Sequence, residues 1–203
     1  MELTQVIEER RSIRKFREDS IPDGVINELL NAARLAPSGS NIQPARFVVV
    51  KSPTMRKKLG TCTPYTFITR APVIFVCCAD LTVITTREKR RGELLEAGVF
   101  TGVDVDMDMV NSRVRAVDQR DDNAVRAYLS MNAAIAIEHL ALRAVDLGLG
   151  SCWIGGFDKE RVRDILGLDE NADIVVLLPV GYPAQSPPQR PRIPLDQMIL
   201  KTI

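Results

Sequence analysis

The sequence predicts an α+β fold in a single domain. Three short runs that are rich in β-branched and other apolar residues, at 46–51, 72–79 and 174–180, are typical of buried strands. Segments with helical periodicity lie before, between and after these runs, but they do not alternate with them one to one. Regular alternation of strand and helix is the mark of a doubly wound parallel sheet, so its absence favours α+β.

The first strand is preceded by two predicted helices and a polar loop. Residues 4–11 have the composition of a short helix, and residues 22–36 carry apolar side chains at amphipathic spacing. Pro22 suits the first turn of the second helix, and Pro37 suits its end. The loop that follows, PSGSNIQP, covers residues 37–44.

The second half of the chain is dominated by one long helix, predicted over residues 124–147. Its few central polar residues fall in one stripe: Asn132, His139, Arg143 and Asp146. A helix that is apolar around most of its circumference must be covered on most sides, which in a chain of 203 residues favours a core helix that also contacts a second subunit. We expect further helices at 87–96 and 159–166, and a helical cover over 104–117.

Composition and charge exclude several functional classes. The chain has 27 Lys and Arg against 26 Asp and Glu, a net charge of +1, whereas proteins built mainly to bind nucleic acid or anionic membranes present a net basic field. No apolar run approaches the roughly 20 residues of a spanning helix, and the N-terminus lacks an apolar signal-peptide core. We therefore expect a soluble, cytoplasmic protein that binds neither nucleic acid nor membrane.

The chain contains few side chains that commonly bind metals or act as nucleophiles. The chain has a single His and four Cys, none of them in a C-x-x-C pair. Cys77 and Cys78 are adjacent on a predicted strand and so point to opposite faces, which prevents them from sharing a metal ion there. We expect no metal site and no His-dependent triad, so any demanding chemistry must come from elsewhere.

Two basic clusters stand near opposite ends of the chain. The segment RRSIRKFR, residues 10–17, surrounds Ser12 with cations, and QRPR, residues 189–192, places Arg190 and Arg192 on one side of an extended Pro-rich tail. The guanidinium fork matches phosphate oxygens, and a Ser hydroxyl can complete an anion site. A solvated basic surface explains each cluster alone equally well or better.

Two further segments combine glycine with polar groups. Hydroxyl and amide groups of the loop 37–44 can bind the polar edge of a planar ligand, although turns favour the same residues. The segment GLGSCWIGGF, residues 148–157, is not a dinucleotide-binding loop, because Trp153 stands where the third Gly belongs. Gly155 and Gly156 let the backbone approach a ligand closely and direct amide N–H groups at it.

Taken in order, RRSIRKF, APSGSNIQP, GLGSCWIGGF and the late RPRIPL resemble the motifs of the FMN-dependent nitroreductase-like family. The resemblance runs from about residue 6 to residue 195 and is weakest over 81–122. It implies a central, mostly antiparallel sheet flanked by helices, in an interlocked homodimer with FMN at the subunit interface. It also implies an FMN-binding domain over 1–182 and an extended tail over 183–203 that contributes to phosphate binding and dimer contacts.

The resemblance further implies which residues bind FMN. The residues implied for the phosphate are Arg10, Arg11, Ser12, Arg190 and Arg192. Arg14 is implied to lie near the pyrimidine end of the flavin. The second subunit supplies Pro37, Ser38, Gly39, Ser40 and Asn41, with Gln43 beside them. Ile154, Gly155 and Gly156 lie along the isoalloxazine, where backbone amides meet N5 and O4. No side chain is expected to act as a catalytic acid, base or nucleophile.

The activity implied is a two-step exchange in which NADH or NADPH reduces the flavin and leaves, and an electron-poor acceptor takes its place. The acceptor classes are nitroaromatics, quinones and activated alkenes. A donor at N5 and a cation near N1 tune the ring, and Gly155 or Gly156 and Arg14 can supply them. The same fold also admits reductive dehalogenation or flavin fragmentation, and a non-catalytic flavin carrier is the alternative from another class. Residues 61–122 are expected to decide the acceptor.

Overall fold

A computed structural model describes residues 1–106, 108–110, 112 and 121–203. In these residues one antiparallel sheet has the strand order β1-β2-β4-β3. The strands are β1 (Ala45–Val50), β2 (Val73–Asp80), β3 (Gly150–Ser151) and β4 (Ala172–Gly181). The predicted α+β class with an antiparallel sheet is confirmed, and the three predicted strands are present within one or two residues of their expected ends.

Helices pack on both faces of this sheet. The helices with established bounds are α1 (Leu3–Glu9), α2 (Asp23–Arg34), α3 (Pro53–Gly60), α4 (Arg87–Glu96), α5 (Asp122–Asp146) and α6 (Lys159–Leu166). Helices α4 and α6 have the predicted bounds. Helix α1 ends two residues earlier than predicted, because the backbone of Arg10 turns to an extended ψ of 122°. The first basic cluster therefore lies outside the helix.

The sheet is buried on both faces, which explains why its central strands read as continuous apolar runs. Phe75 and Cys77 of β2 pack in the cluster formed with α2 and α5. Ile74 and Cys78 pack on the opposite side, in the cluster that includes α3 and α6. The expectation that the adjacent cysteines point to opposite faces is confirmed.

Helix α5 crosses one face of the sheet and is the longest described element. It begins at the N-cap Asp121, whose carboxylate accepts the Ala124 N–H at 2.9 Å. It ends before Gly148, whose left-handed φ of 73° turns the chain back toward β3. Most of its circumference is covered as predicted, but Met131 and Ile135 are 58% and 37% exposed.

Two segments complete the description of the chain. The predicted helical cover over 104–117 falls largely on positions outside the described residues, namely 107, 111 and 113–117. The tail after β4 is extended and exposed, with one 3-10 turn at Leu195–Met198. Within the part of the chain that the structure describes, no helix has the length and apolar character needed to cross a membrane.

Candidate functional site

The N-terminal basic segment, residues 10–17, runs beside the edge of the sheet. The Ile13 N–H donates to the Ser151 carbonyl at 2.9 Å, and the Arg17 N–H donates to the Tyr182 carbonyl at the same distance. Ser151 belongs to β3, whereas Tyr182 directly follows β4. The segment therefore ties the short edge strand to the start of the C-terminal tail.

Two apolar side chains anchor this segment and explain its mixed composition. Ile13 and Phe16 are buried in a small cluster with Ala71. Gly150 permits the approach, because a Cβ there would lie 2.3 Å from Cγ1 of Ile13. With the apolar positions turned inward, the basic positions of the segment are left at least partly exposed.

Cys152, which is 3% exposed, lies within electrostatic reach of arginines from both ends of the chain. Burial raises the pKa of the Cys152 thiol, and the neighbouring Arg14, Ser12, Arg190 and Arg10 oppose that rise. The thiol therefore stays neutral at neutral pH and does not compete as an anion for the guanidinium groups. The structure thus brings three sequence-predicted arginines together although Arg14 and Arg190 lie 176 positions apart.

Arg10 is also linked to α5. Its Nε lies 3.7 Å from Oε1 of Glu138, and burial raises the pKa of that carboxyl, which the Arg10 charge opposes. Next to Cys152 in the sequence, Oγ of Ser151 is buried and has no hydrogen-bond partner among the described residues, whereas the Trp153 side chain lies against Glu138 and opposes the rise in the pKa of that carboxyl. A buried hydroxyl like that of Ser151 is usually satisfied by a ligand or by water.

The glycine pair, Gly155 and Gly156, directly follows the last residue of this segment that pairs with β4. Ile154 still pairs with Leu177 of β4 through two backbone hydrogen bonds of 3.0 and 3.1 Å, and Gly155 and Gly156 then leave the sheet with exposed backbone. A Cβ on Gly155 would meet no atom within 4 Å, and one on Gly156 would lie 3.3 Å from Cε2 of Tyr65. Because Gly155 lies only three positions after Cys152, this open surface lies within about 10 Å of the Cys152 backbone.

The polar loop 37–43 is held at a different place, on the N-terminal half of α5. The Gly39 N–H donates to Oδ1 of Asn132 at 2.7 Å, and Nδ2 of Asn132 donates to the Tyr128 carbonyl at 2.8 Å. A Cβ on Gly39 would lie 2.3 Å from the Tyr128 hydroxyl oxygen. The loop and the helix therefore fit together only because residue 39 is glycine.

This loop carries backbone strain. Ser40, Asn41 and Gln43 have positive φ values of 52°, 52° and 50°, a left-handed conformation that costs an L residue roughly 1–2 kcal/mol. The Gln43 N–H donates to Oγ of Ser38 at 2.9 Å, which holds the turn closed. Strain of this kind persists where the surrounding structure imposes it, and it is common at ligand-binding sites.

The predicted site residues therefore form two groups within one chain. The first gathers at Cys152 and along the segment after it: Arg10, Ser12, Arg14, Ile154, Gly155, Gly156 and Arg190. The second lies against α5: Pro37, Ser38, Gly39, Ser40, Asn41 and Gln43. Between these two sets of described residues there is no direct hydrogen bond or ion pair. Within one chain, each group is held by its own set of contacts.

Two predicted phosphate ligands direct their guanidinium groups at backbone carbonyls. Arg11 donates to the carbonyls of Glu8 and Arg10. Arg192 donates to the carbonyls of Arg190 and Pro191 at 3.3 and 3.2 Å. Neither is among the charges that act on Cys152.

Sequence reasoning missed the residues that hold these groups in place. The Thr63 hydroxyl donates to the Gly156 carbonyl across 93 positions of sequence, and Glu138 pairs with Arg10 from α5. No local pattern indicates either contact. The sequence did indicate Asn132, because it is an amide in the polar stripe of a largely apolar helix. The structure shows that this residue is buried and bonds the loop.

Comparisons with known proteins agree with this arrangement. A sequence model described as the Nitroreductase family matches residues 7–182. The chain is 36% identical over 194 residues to an NADH dehydrogenase of Thermus thermophilus, covering 94% of this chain and 91% of that one. It is 26% identical over 202 residues to iodotyrosine deiodinase 1 of Rattus norvegicus, covering 98% of this chain and 69% of the other.

The fold comparison extends the same result. A solved structure of a candidate NAD(P)H:FMN oxidoreductase from Staphylococcus epidermidis superposes with a TM-score of 0.83 at 25% identity. The superposition covers 100% of this chain and 95% of that one.

The close fit of Gly39 against Tyr128 can be tested by unfolding. Gly39→Ala should lower the free energy of unfolding by about 1–3 kcal/mol, because the added methyl group overlaps the Tyr128 hydroxyl. Tyr128→Phe in the same chain removes the overlapping oxygen and should recover part of the loss. Urea titration measures both.

Gly24→Ala is the matched control, because a Cβ at this helical position meets no atom within 4 Å. It should leave stability unchanged or raise it slightly. A Gly39→Ala chain that unfolds at the wild-type urea concentration would contradict the close fit.

Proposed function

The chain belongs to the Nitroreductase family, whose sequence model matches residues 7–182, and we propose on this basis that it is an FMN-dependent oxidoreductase. In this proposal it transfers hydride from NADH or NADPH to an electron-poor acceptor: a nitroaromatic, a quinone or an activated alkene. The observation that carries the proposal is the convergence of Arg10, Arg14 and Arg190 at Cys152 beside the open glycine pair.

The donor set fits the phosphate and the polar edge of FMN. Guanidinium groups bind phosphate oxygens through charge-assisted hydrogen bonds, and the Cys152 thiol between them carries no competing charge because burial raises its pKa. The partnerless Oγ of Ser151, next to Cys152 in the sequence, is a polar group that a polar ligand can satisfy. We propose that Arg11 and Arg192 approach the phosphate only when FMN is bound.

FMN, when bound, supplies an isoalloxazine ring whose N5 accepts a hydride from the nicotinamide and passes it to the acceptor. The residues of the chain bind and orient that ring. Gly155 and Gly156 have no side chains, so they leave room for a planar group and can direct amide N–H groups at its edge. Arg14 brings a positive charge to the pyrimidine end, where it favours the negative charge of the reduced ring.

We propose that a second copy of the chain completes each site with its loop 37–43, in a homodimer. The separation of the two groups of site residues within one chain supports this arrangement. Exposed apolar side chains are available for the contact: Leu3, Ile7, Met131, Ile135, Leu195, Met198 and Leu200. The tail after residue 182 would then serve both the phosphate and the partner.

Reductive dehalogenation is the second candidate, and the similarity to iodotyrosine deiodinase 1 over 98% of this chain favours it. The two candidates use the same flavin site and differ in the acceptor. Tyr65 stands beside Gly156 and lies in the stretch 61–122 that we expect to select that acceptor.

The first test is the flavin content of the purified protein. We expect a yellow protein that binds FMN and loses its absorbance near 450 nm when NADH or NADPH is added without oxygen. A panel of nitroaromatic, quinone, activated-alkene and iodinated-phenol acceptors then distinguishes the two candidates. A colourless protein that also fails to take up added FMN would exclude the proposal, and FMN binding without bleaching would identify a flavin carrier.

The arginine cluster predicts a preference for FMN over riboflavin, which lacks the phosphate. Arg190→Gln should weaken FMN binding about tenfold or more, as expected for a hydrogen bond to a charged group, and leave riboflavin binding unchanged. Flavin fluorescence measures both affinities. Arg17→Gln is the control, since Arg17 lies near the cluster but pairs with Asp19 at 2.8 Å. Equal losses for the two flavins would contradict a phosphate role.

The glycine pair predicts a binding defect without a folding defect. Gly155→Ala should keep the thermal stability of the FMN-free protein, because its Cβ meets no atom of the chain within 4 Å, yet weaken FMN binding through overlap with the ring. Gly92→Ala, another position with free space, should leave FMN affinity unchanged and leave stability unchanged or slightly raised, because alanine favours the helical backbone of α4. An unaltered FMN affinity in Gly155→Ala would show that the ring lies elsewhere.

A further inference from the structure

Thr63 is a buried hydroxyl with two defined hydrogen bonds. The residue is 8% exposed and lies between α3 and the 3-10 turn Thr66–Arg70. Its Oγ1 donates to the Gly156 carbonyl at 2.7 Å and accepts the Tyr65 N–H at 3.3 Å. A hydroxyl has one proton to donate, so Gly156 occupies its whole donor capacity.

The glycine pair needs such an anchor. Each glycine has wide freedom in both backbone dihedrals, and neither Gly155 nor Gly156 is covered by solvent-excluding side chains. The chain is held before the pair by Ile154 in the sheet, and after it by the Asp158 N–H, which donates to the Cys62 carbonyl at 2.8 Å. Thr63 provides the anchor within the pair.

The anchor acts on the orientation of peptide groups. The carbonyl of Gly156 and the N–H of Phe157 belong to one planar peptide unit, so fixing the carbonyl oxygen fixes that plane. The upstream plane is fixed in the same way, because the Ile154 carbonyl accepts the Leu177 N–H at 3.1 Å. The Gly156 N–H lies between two oriented planes, which restricts the directions that it can take.

We propose that Thr63 is a positioning residue whose hydroxyl holds the Gly156 peptide so that the amide groups of the glycine pair meet the reactive edge of the flavin. The inference rests on the proposed function, since it concerns the same site. In this role Thr63 touches neither flavin nor substrate. Its effect reaches the reaction through Gly156.

The test compares two substitutions in the FMN-loaded protein. Thr63→Val keeps the shape and removes the hydroxyl, whereas Thr63→Ser keeps the hydroxyl. Thr63→Val should weaken FMN binding about fivefold, the effect of one net hydrogen bond. It should also slow flavin bleaching at saturating NADH about tenfold, because the amide group is misdirected. The half-saturating NADH concentration should stay within about twofold of wild type, because the nicotinamide site is intact. Thr63→Ser should stay within about twofold in every measurement.

Thr61→Val is the matched control. The Thr61 hydroxyl is also hydrogen-bonded, donating to the Lys58 carbonyl at 2.8 Å and accepting from Arg161 at 3.0 Å, but it does not bond the glycine pair. It should behave as wild type. Thr63→Ala, which also lacks the hydroxyl, provides the same comparison if the valine variant does not fold.

The outcomes separate this inference from the proposed function. Wild-type values in Thr63→Val, or equal losses in Thr63→Val and Thr63→Ser, would overturn the positioning role while FMN binding and bleaching by the wild-type protein still supported the proposed function. A wild-type protein that binds no FMN would overturn both.

Discussion

The pairing of residues 12–17 with the sheet edge is the constraint on which the candidate site depends. Two backbone hydrogen bonds, from Ile13 to Ser151 and from Arg17 to Tyr182, join the N-terminal segment to the edge strand and to the start of the tail. They are short and directional, and the burial of Ile13 and Phe16 holds them in place. This pairing places the early arginines beside β3, next to Cys152 in the sequence, and fixes the start of the tail that carries Arg190.

Helix α5 organises the other half of the arrangement. Asn132 on this helix holds the strained loop 37–43 through Gly39, and Glu138 reaches Arg10 on another side. One helix therefore positions both groups of site residues while keeping them apart. Because the helix also leaves Met131 and Ile135 exposed, the same element that separates the groups within a chain offers a surface through which two chains can bring them together.

The distribution of chemistry in the chain is consistent with a cofactor enzyme. Net charge is close to zero, yet guanidinium groups concentrate at Cys152, where the raised thiol pKa keeps that side chain neutral. The side chains at the open surface bind and orient, and the backbone of Gly155 and Gly156 is placed by a hydroxyl, Thr63, rather than by packing. In such a site the protein has to place hydrogen-bond donors accurately and does not need a reactive side chain.

The sequence by itself determined the α+β class, the three long strands, the main helices and the family, because these depend on local periodicity and on motifs that are contiguous in the chain. It also identified the glycine pair and both basic clusters as candidates. The tertiary structure alone decided which arginines act on Cys152, that Arg11 and Arg192 bond backbone carbonyls, that the loop 37–43 lies against α5, and that Thr63 bonds Gly156. The short strand β3 also escaped prediction, since two residues carry no periodicity. The bonds from Gly39 to Asn132 and from Thr63 to Gly156 each span 93 positions, and contacts over such distances leave no pattern in a single sequence.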